Sequence, residues 1–457
     1  MPFEDLRSFL AFLEKNGELL KIEREIKVKY EIAAGIRKIS NTQGPALFFE
    51  KVKGYDTPVV GGVFATRRRA LLGLEMKEET VFDEFLRRIK RPIKPKSVDD
   101  GPCKEVILEG NEVDLLKFPI PIYSEGDAGP YITVGVQVSK DPETGSKNAG
   151  IYRMQVKGKN KLGIMAHQFQ DISIQFSKAE KRNEPLEVAT AIGLDPVIPL
   201  ASQVKVPYGV DELGVAGGLR EKAVEVVKCE TVDLEVPATA EMIIEGKILP
   251  NIREHEAPFG EFTGYMGDQE NNPVVEVTAI THREDPIHQA CLTGTPTTEN
   301  HILKEIPYEV TLYDDLKGIF PEVKSVNFSP AGGCQLLAIV SLKQRYKGEA
   351  KNLILTSLGH KIRPKFVIVV DDDIDVFDHV QVLWAIVTRS QPVDDIIILQ
   401  GVAGGPLDPS TLENDVTSVM GIDATRPFGE PFASVVDIPG TEGFQLPHTK
   451  GTKESGK

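Results

Sequence analysis

Residues 110–300 carry a succession of short β-type segments with almost no helix between them. YITVGVQVS, IYRMQVKG, PLEVATAIG, AVEVVKCETVDLEVP, AEMIIEGKI and VVEVTAITH read as strands separated by turn residues. Only DISIQFSKAEKR, EVTLYDDLKGI and similar short pieces read as helix. That pattern restricts the middle of the chain to an antiparallel or barrel-like domain.

The flanks differ. In DLRSFLAFLEKNG, Leu6, Phe9, Leu10, Phe12 and Leu13 recur at helical spacing, and Gly17 stops the helix. KIEREIKV alternates like a strand, ALFFEKV and PVVGGVF add two more, and Arg67-Arg68-Arg69 opens a basic helix. This small α/β unit ends near Lys94, where PIKPKSVDDGP reads as a linker. The last third holds CQLLAIVSLK, NLILTSL, KFVIVVDDDIDVFD and DDIIILQG. KFVIVV is apolar on both faces, as a buried parallel strand requires. Acidic residues and a helix, DHVQVLWAIVTR, follow it, which predicts a three-layer α/β domain. Trp384 is expected in the core. The resulting division is 1–105, an α/β domain; 106–305, the central domain; 306–320, a linker helix; 321–440, the C-terminal α/β domain; and 441–457, a loose tail.

With 53 Lys and Arg against 68 Asp and Glu, the net charge is -15, which disfavours a general nucleic-acid coat. The N-terminus lacks a basic leader followed by an apolar core, and no apolar run reaches membrane-spanning length. Cys103, Cys229, Cys291 and Cys334 form no metal-knuckle spacing, which suits free thiols. A cytoplasmic location is the expectation.

Two segments carry most of the chemistry. One is Asn148-Ala-Gly-Ile-Tyr-Arg153. The other is Arg253-Glu-His-Glu256-Ala-Pro-Phe-Gly-Glu261-Phe-Thr-Gly-Tyr265. Pro258 and Gly260 make the stretch between Glu256 and Glu261 a turn, which can aim both carboxylates at one point. Two close carboxylates do not ionise together cheaply, so one becomes a candidate general acid. Arg153 is a candidate to sit between them or beside a substrate carboxylate. The plainer readings are solvent-facing acids on a turn and an exposed arginine on a hairpin. His167, Gln170, Asp171 and Glu212 offer oxygen and nitrogen ligands that suit a hard divalent ion better than structural zinc. Equally, each can be an ordinary hydrogen-bonded residue. Asp371-Asp-Asp-Ile-Asp-Val-Phe-Asp378 follows a buried-type strand, where open α/β sheets bind ligands; it also reads as the acidic start of a helix. The Arg67–Arg69 cluster can hold a phosphate or lie on a solvated helix face. No Walker loop, GxGxxG helix start or GxSxG elbow is present.

Across about 430 residues the chain resembles the UbiD-type decarboxylases, which use prenylated FMN. DLRSFLAFLEKNGEL, NAGIYRMQVKGKNKLG, EHEAPFGEFTGY and PKFVIVVDDDIDVFDHVQVLWAIVTR carry the resemblance. It implies an N-terminal α/β domain, a central flavin-reductase-like split β-barrel and a C-terminal three-layer α/β domain that drives homodimers or homohexamers. It also implies reversible, non-oxidative decarboxylation of an unsaturated or (hetero)aromatic acid through a substrate adduct with the cofactor. Arg153, Glu256 and Glu261 match the catalytic set, with Glu261 as the proton-shuttling acid. Asn148, Ile151, Tyr152, Arg153, Gln170, Glu212 and Lys365 match cofactor-binding positions. Asn148 and Glu212 match two ligands of a divalent ion, Mn2+ or Mg2+, with K+ nearby. The third ligand is a histidine in the family; by count from Arg153 its place falls on Gln170 and not His167, so either Gln170 coordinates through its amide oxygen or His167 reaches in by a local shift. His255-Glu256-Ala257 stands where the family has Pro-Glu-Gly. His301 and Lys304, in GTPTTENHILKEI, are candidates to meet a second anionic group of the substrate; as helix-surface residues they have a plainer reading. Substrates of the family include trans-anhydromevalonate 5-phosphate, phenolic acids and furan dicarboxylates. A prenyltransferase is implied as the cofactor supplier. Competing classes are an FMN-dependent reductase and a non-catalytic subunit of a multicomponent carboxylase.

Overall fold

The computed structural model describes residues 3–441 and 444, apart from 257, 268–269, 406 and 412–415. Of the expected tail, only residues 441 and 444 are described. The chain is a multidomain α/β protein, with four sheets among the described residues.

The central sheet has nine strands. Its path runs Tyr131–Ile132, Met154–Gly158, Lys161–Ile164, Glu270–His282, Met242–Glu256, Leu186–Ile192, Val136–Lys140 and Lys147–Ile151. Val106–Glu109 pairs beside Glu270–His282. Every pairing is antiparallel, as the alternating segments predict. Alternation sorts the side chains between two cores. Ala189 and Ala191 face one, and Leu186, Val188 and Ile192 face the other.

IYRMQVKG is not one strand. Strands Lys147–Ile151 and Met154–Gly158 stop on either side of Tyr152 and Arg153, and they lie near opposite ends of the sheet's path. Three residue steps reach at most about 11 Å. Six strand spacings laid flat would cover roughly 29 Å. The sheet must therefore curl until its ends approach, and Tyr152 and Arg153 cross the seam.

The N-terminal sheet holds Leu19–Ile22, Ala46–Phe49 and Val59–Gly61, completed by His288–Ala290 from beyond the central sheet. The first strand lies earlier than KIEREIKV: only Ile26 of the later residues makes a bridge. The segment expected as a linker contributes Lys96–Ser97 as a parallel strand beside Glu225–Lys228.

The C-terminal sheet runs Val323–Phe328, Leu337–Leu342, Phe366–Asp371, Val416–Ala424 and Ile396–Ala403, parallel at its centre and antiparallel at both edges. Val367 and Val369 pack with helix Glu349–Leu358, while Ile368 and Val370 pack with helix His379–Arg389. Both faces are covered, which gives three layers. Helix Glu299–Lys317 joins the central and C-terminal parts and begins earlier than the linker helix expected at 306. Among the described residues no helix is long and apolar enough to cross a membrane.

Two further sequence expectations fail here. Trp384 is not core: it is 39% exposed, on the same outward stripe as Val380, Leu383 and Val387. Val382 and Ala385 are the residues this helix turns inward. The Arg67–Arg69 cluster is not a solvated face. Arg69 is fully buried, donating to the Gly62 and Gly44 carbonyls and pairing with Glu18. Arg67 pairs with Glu309, Glu305 and Glu78, and Arg68 alone is exposed.

Candidate active site

The seam delivers Arg153 to the interior. Its Nε donates to Glu256 Oε1 at 2.9 Å, and its Nη1 meets Glu261 Oε1 in direct ionic contact. Arg153 thus lies between the two carboxylates. Its guanidinium lies 4.9 Å from the centroid of the Phe259 ring, which packs on Tyr131 at 4.4 Å. Glu256 closes strand Met242–Glu256 and is buried. Its second oxygen accepts from Asn272 Nδ2 at 2.7 Å. The exposed-acid reading therefore fails for both glutamates, which are 1% and 5% exposed. Ala257 lies outside the described residues.

Glu261 sits on the turn that Pro258 and Gly260 announce. Gly260 N donates to Asp127 Oδ1 at 3.2 Å and its carbonyl accepts from Thr293 at 3.2 Å. Gly267 leaves room for the acid, since a β-carbon there would approach Glu261 Oε1 to 2.9 Å. Two cavities flank the turn. One, of about 550 Å³, is lined by Tyr123, Ser124 and Thr293 with Arg37 of the N-terminal part. The other, of about 280 Å³, is lined by Thr263, Tyr265, Gly333 and Lys365. Neither is walled by the carboxylates themselves, so the chemistry of the side chains locates the site better than cavity size does.

Further candidate residues lie on the strand that leads into Arg153 and on the elements beside it. Asn148 is buried, with Nδ2 3.2 Å from Ser139 Oγ and its amide 3.4 Å from the Tyr152 hydroxyl. Ile151, half-buried, ends the same strand. Glu212 opens helix Glu212–Arg220 after its cap Asp211, and accepts from Ala149 N at 2.8 Å. Burial pushes the Glu212 carboxyl up to about 8, with Asp171 and Asp211 adding negative charge. Gln170 precedes helix Asp171–Lys181 and accepts from His167 N at 2.7 Å, folding its loop back. Asp171 is raised by burial against a weaker pull from Lys205. Amide and carboxylate oxygens with surplus negative charge suit a hard divalent cation. Among the described residues no three His, Cys, Asp or Glu side chains gather as a metal-binding group.

Lys365 reaches Asp408 at 2.5 Å and also meets Ser410. His301 and Lys304 are both buried, so the surface reading fails for each. His301 spends both ring nitrogens on the protein, one with Thr298 and one with the Phe262 carbonyl. The Lys304 ammonium lies 3.9 Å from the Phe262 ring centroid, and among the described residues no carboxylate pairs with it. Burial lowers its pKa to about 7. Part of the acidic run after KFVIVV is paired internally: Arg389 binds Asp371 and Asp373, and Asp378 caps the following helix. Asn272, Phe259 and Tyr131 were not singled out from sequence. They enter the site through sheet pairing and ring packing, which leave no local motif.

Comparison with known proteins gives a consistent picture. Residues 10–89, 95–296 and 301–424 match family models for the N-terminal, Rift-related and C-terminal domains of 3-octaprenyl-4-hydroxybenzoate carboxy-lyase. An uncharacterised protein of Archaeoglobus fulgidus is 38% identical over 449 residues, covering 93% of this chain and 92% of that one. The UbiD-class enzyme HmfF from Pelotomaculum thermopropionicum, solved with FMN, is 41% identical with a TM-score of 0.90, covering 96% of this chain and 99% of that one. It has also been solved in an evolved dimeric form with prFMN, at 39% identity, TM-score 0.87, and 97% and 99% coverage. The closed form of vanillic acid decarboxylase from Sedimentibacter hydroxybenzoicus is 36% identical with a TM-score of 0.89, over 97% and 98% of the two chains. The three domain models fall in order along almost the whole sequence, and the chain belongs to the UbiD family of carboxy-lyases.

Proposed function

We propose that this enzyme decarboxylates an unsaturated or (hetero)aromatic carboxylic acid with the help of prenylated FMN, bound against a flavin-reductase-like barrel formed by the curled central sheet. The observation that carries the reading is Arg153 held between two buried carboxylates. The complexes of HmfF with FMN and prFMN support the choice of cofactor. When bound, that cofactor supplies the electron sink that loss of a carboxylate requires and that side chains cannot provide.

The protein's own groups divide the remaining work. Arg153 offers a fixed cation to the substrate carboxylate and to Glu261. Glu256, held by Arg153 and Asn272, keeps the guanidinium oriented. Glu261 delivers a proton to the carbon that has lost its carboxylate. At the other end, Asn148, Gln170 and Glu212 would hold Mn2+ or Mg2+, with K+ as a second ion, and Ile151, Tyr152 and Lys365 would contribute to holding the cofactor. Lys304, a buried ammonium without a carboxylate partner among the described residues, favours a substrate with a second anionic group. A furan dicarboxylate or trans-anhydromevalonate 5-phosphate has one; a simple phenolic acid does not. The outward apolar stripe on helix His379–Arg389 supports self-association through the C-terminal part.

The test is co-production with a cofactor-making prenyltransferase, followed by a screen of carbon dioxide release over these acids. Glu261→Gln is expected to retain bound cofactor and lose turnover. Turnover supported equally by unmodified FMN would overturn the reading.

A further inference from the structure

The turn carrying Glu261 is a closed unit. Glu261 N donates to the Tyr265 carbonyl at 2.8 Å, and Gly264 N donates to the Glu261 carbonyl at 2.9 Å. Gly264 has φ 88°, in the left-handed region that glycine adopts without strain. A unit tied in this way moves as one piece, so whatever holds one part of it holds the carboxylate.

Its anchor is Phe262. The Phe262 carbonyl accepts from His301 Nε2 at 2.6 Å. The ring receives the Lys304 ammonium on its face. On another side it lies so close to Gly333 that a β-carbon there would come within 2.9 Å of it. Both His301 and Lys304 belong to helix Glu299–Lys317, a long and mostly buried element.

His301 can hold this bond together with its bond to Thr298 in one form only. Its Nδ1 accepts from Thr298 N at 2.9 Å, and a backbone N–H can only donate. Its Nε2 faces a carbonyl, which can only accept. The neutral ring with hydrogen on Nε2 is therefore fixed by its surroundings. Burial and the Lys304 charge keep the ring pKa down at about 3, so the ring stays neutral and Nδ1 remains an acceptor throughout the neutral range.

We propose that His301 is a positioning residue for proton delivery: through the Phe262 carbonyl it sets where the Glu261 carboxylate stands against Arg153, and it does not itself touch substrate. The proposal rests on the reading of Glu261 as proton donor given above.

Asparagine and glutamine separate the two bonds. An asparagine amide lies near the place of Nδ1, so His301→Asn can keep the Thr298 cap while losing Phe262. A glutamine amide nitrogen lies near the place of Nε2, so His301→Gln can keep Phe262 at the expense of the cap. His301→Asn is expected to lower kcat by about 10- to 100-fold, the scale of a misplacement near 1 Å, with little change in KM. His301→Gln is expected to recover most of that loss. Hydrogen exchange over residues 259–266, measured on the same holoenzymes, is expected to accelerate in the Asn variant and to return toward wild type in the Gln variant. Unchanged exchange in His301→Asn overturns the clamp, whatever the reaction is. Faster exchange with unaltered turnover leaves the clamp standing but overturns the role of Glu261. Losses of kcat that follow thermal stability in both variants would mean that the cap, not the Phe262 bond, matters.

Discussion

Glu256 and Glu261 reach the same arginine by different routes. Glu256 is carried by a strand and corrected by a neighbour: Asn272 stands opposite Glu254 in the ladder, so its side chain reaches Glu256 diagonally. Asn272→Leu leaves a buried carboxylate oxygen without its donor, which costs about 1–3 kcal/mol. Turnover in this variant is expected to fall by roughly tenfold or more while flavin absorbance is retained. Lys304 gives a second residue-level expectation. Its folded-state pKa is near 7 against an ordinary 10.5. Between those values the unfolded chain holds a proton that the folded chain has lost, so stability rises with pH across the window. Below pH 7 the full burial penalty applies. Lys304→Met is therefore expected to raise the melting temperature at pH 6 and to raise it less at pH 10, as thermal scans would show. Arg153, Glu256 and Glu261 were legible because glycine, proline and charge mark their segments. Asn272 and the His301–Phe262 bond were not, because strand register and a contact between distant segments create them.

At the level of elements, helix periodicity was easier to read than helix orientation. DHVQVLWAIVTR is helical as expected, yet it is apolar on more than one side, and its sequence does not say which side faces the sheet. Val382 and Ala385 turn inward; Val380, Leu383, Trp384 and Val387 form an i, i+3, i+4, i+7 stripe facing out. The self-association proposed above would run through this stripe. Leu383→Glu is expected to reduce the mass measured by light scattering while leaving the circular dichroism spectrum intact. The Phe366–Asp371 strand was legible for the opposite reason: residues apolar on both faces have only one kind of place to go. The break at Tyr152 and Arg153 was not legible, since IYRMQVKG alternates smoothly through it. Curling of the sheet interrupts the strand, and that is a property of nine strands together.

Across the whole molecule, Arg67 joins three parts. It comes from the N-terminal part, pairs with Glu305 and Glu309 on the joining helix, and stacks on Phe377 of the C-terminal part at 5.2 Å. Glu309 also accepts from Phe328 N in the C-terminal sheet. Burial raises both carboxyls, and Arg67 opposes the rise. Arg67→Met strands two buried acids, and removing one partner of a buried pair costs about 3–5 kcal/mol. Urea denaturation is expected to show that loss, with part of it recovered when Glu309→Gln is added. Changes in segment character along the chain were legible, as in the mostly strand-like stretch that forms the antiparallel central sheet. The joints between the parts were not, because buried ion pairs between distant segments leave no periodic signature.

The strand His288–Ala290 ties the N-terminal sheet to the order of synthesis. Val59–Gly61 pairs with it in parallel and, among the described residues, has no other neighbour on that side. At 5–20 residues per second, the ribosome needs roughly 10 to 50 seconds to travel from one strand to the other. During that interval the nascent N-terminal sheet carries an open edge that other chains can pair with. The edge is only three residues long, which limits the hazard. A nascent chain stalled before residue 288 would still lack its closing strand, and the edge would stay open for as long as the stall lasted.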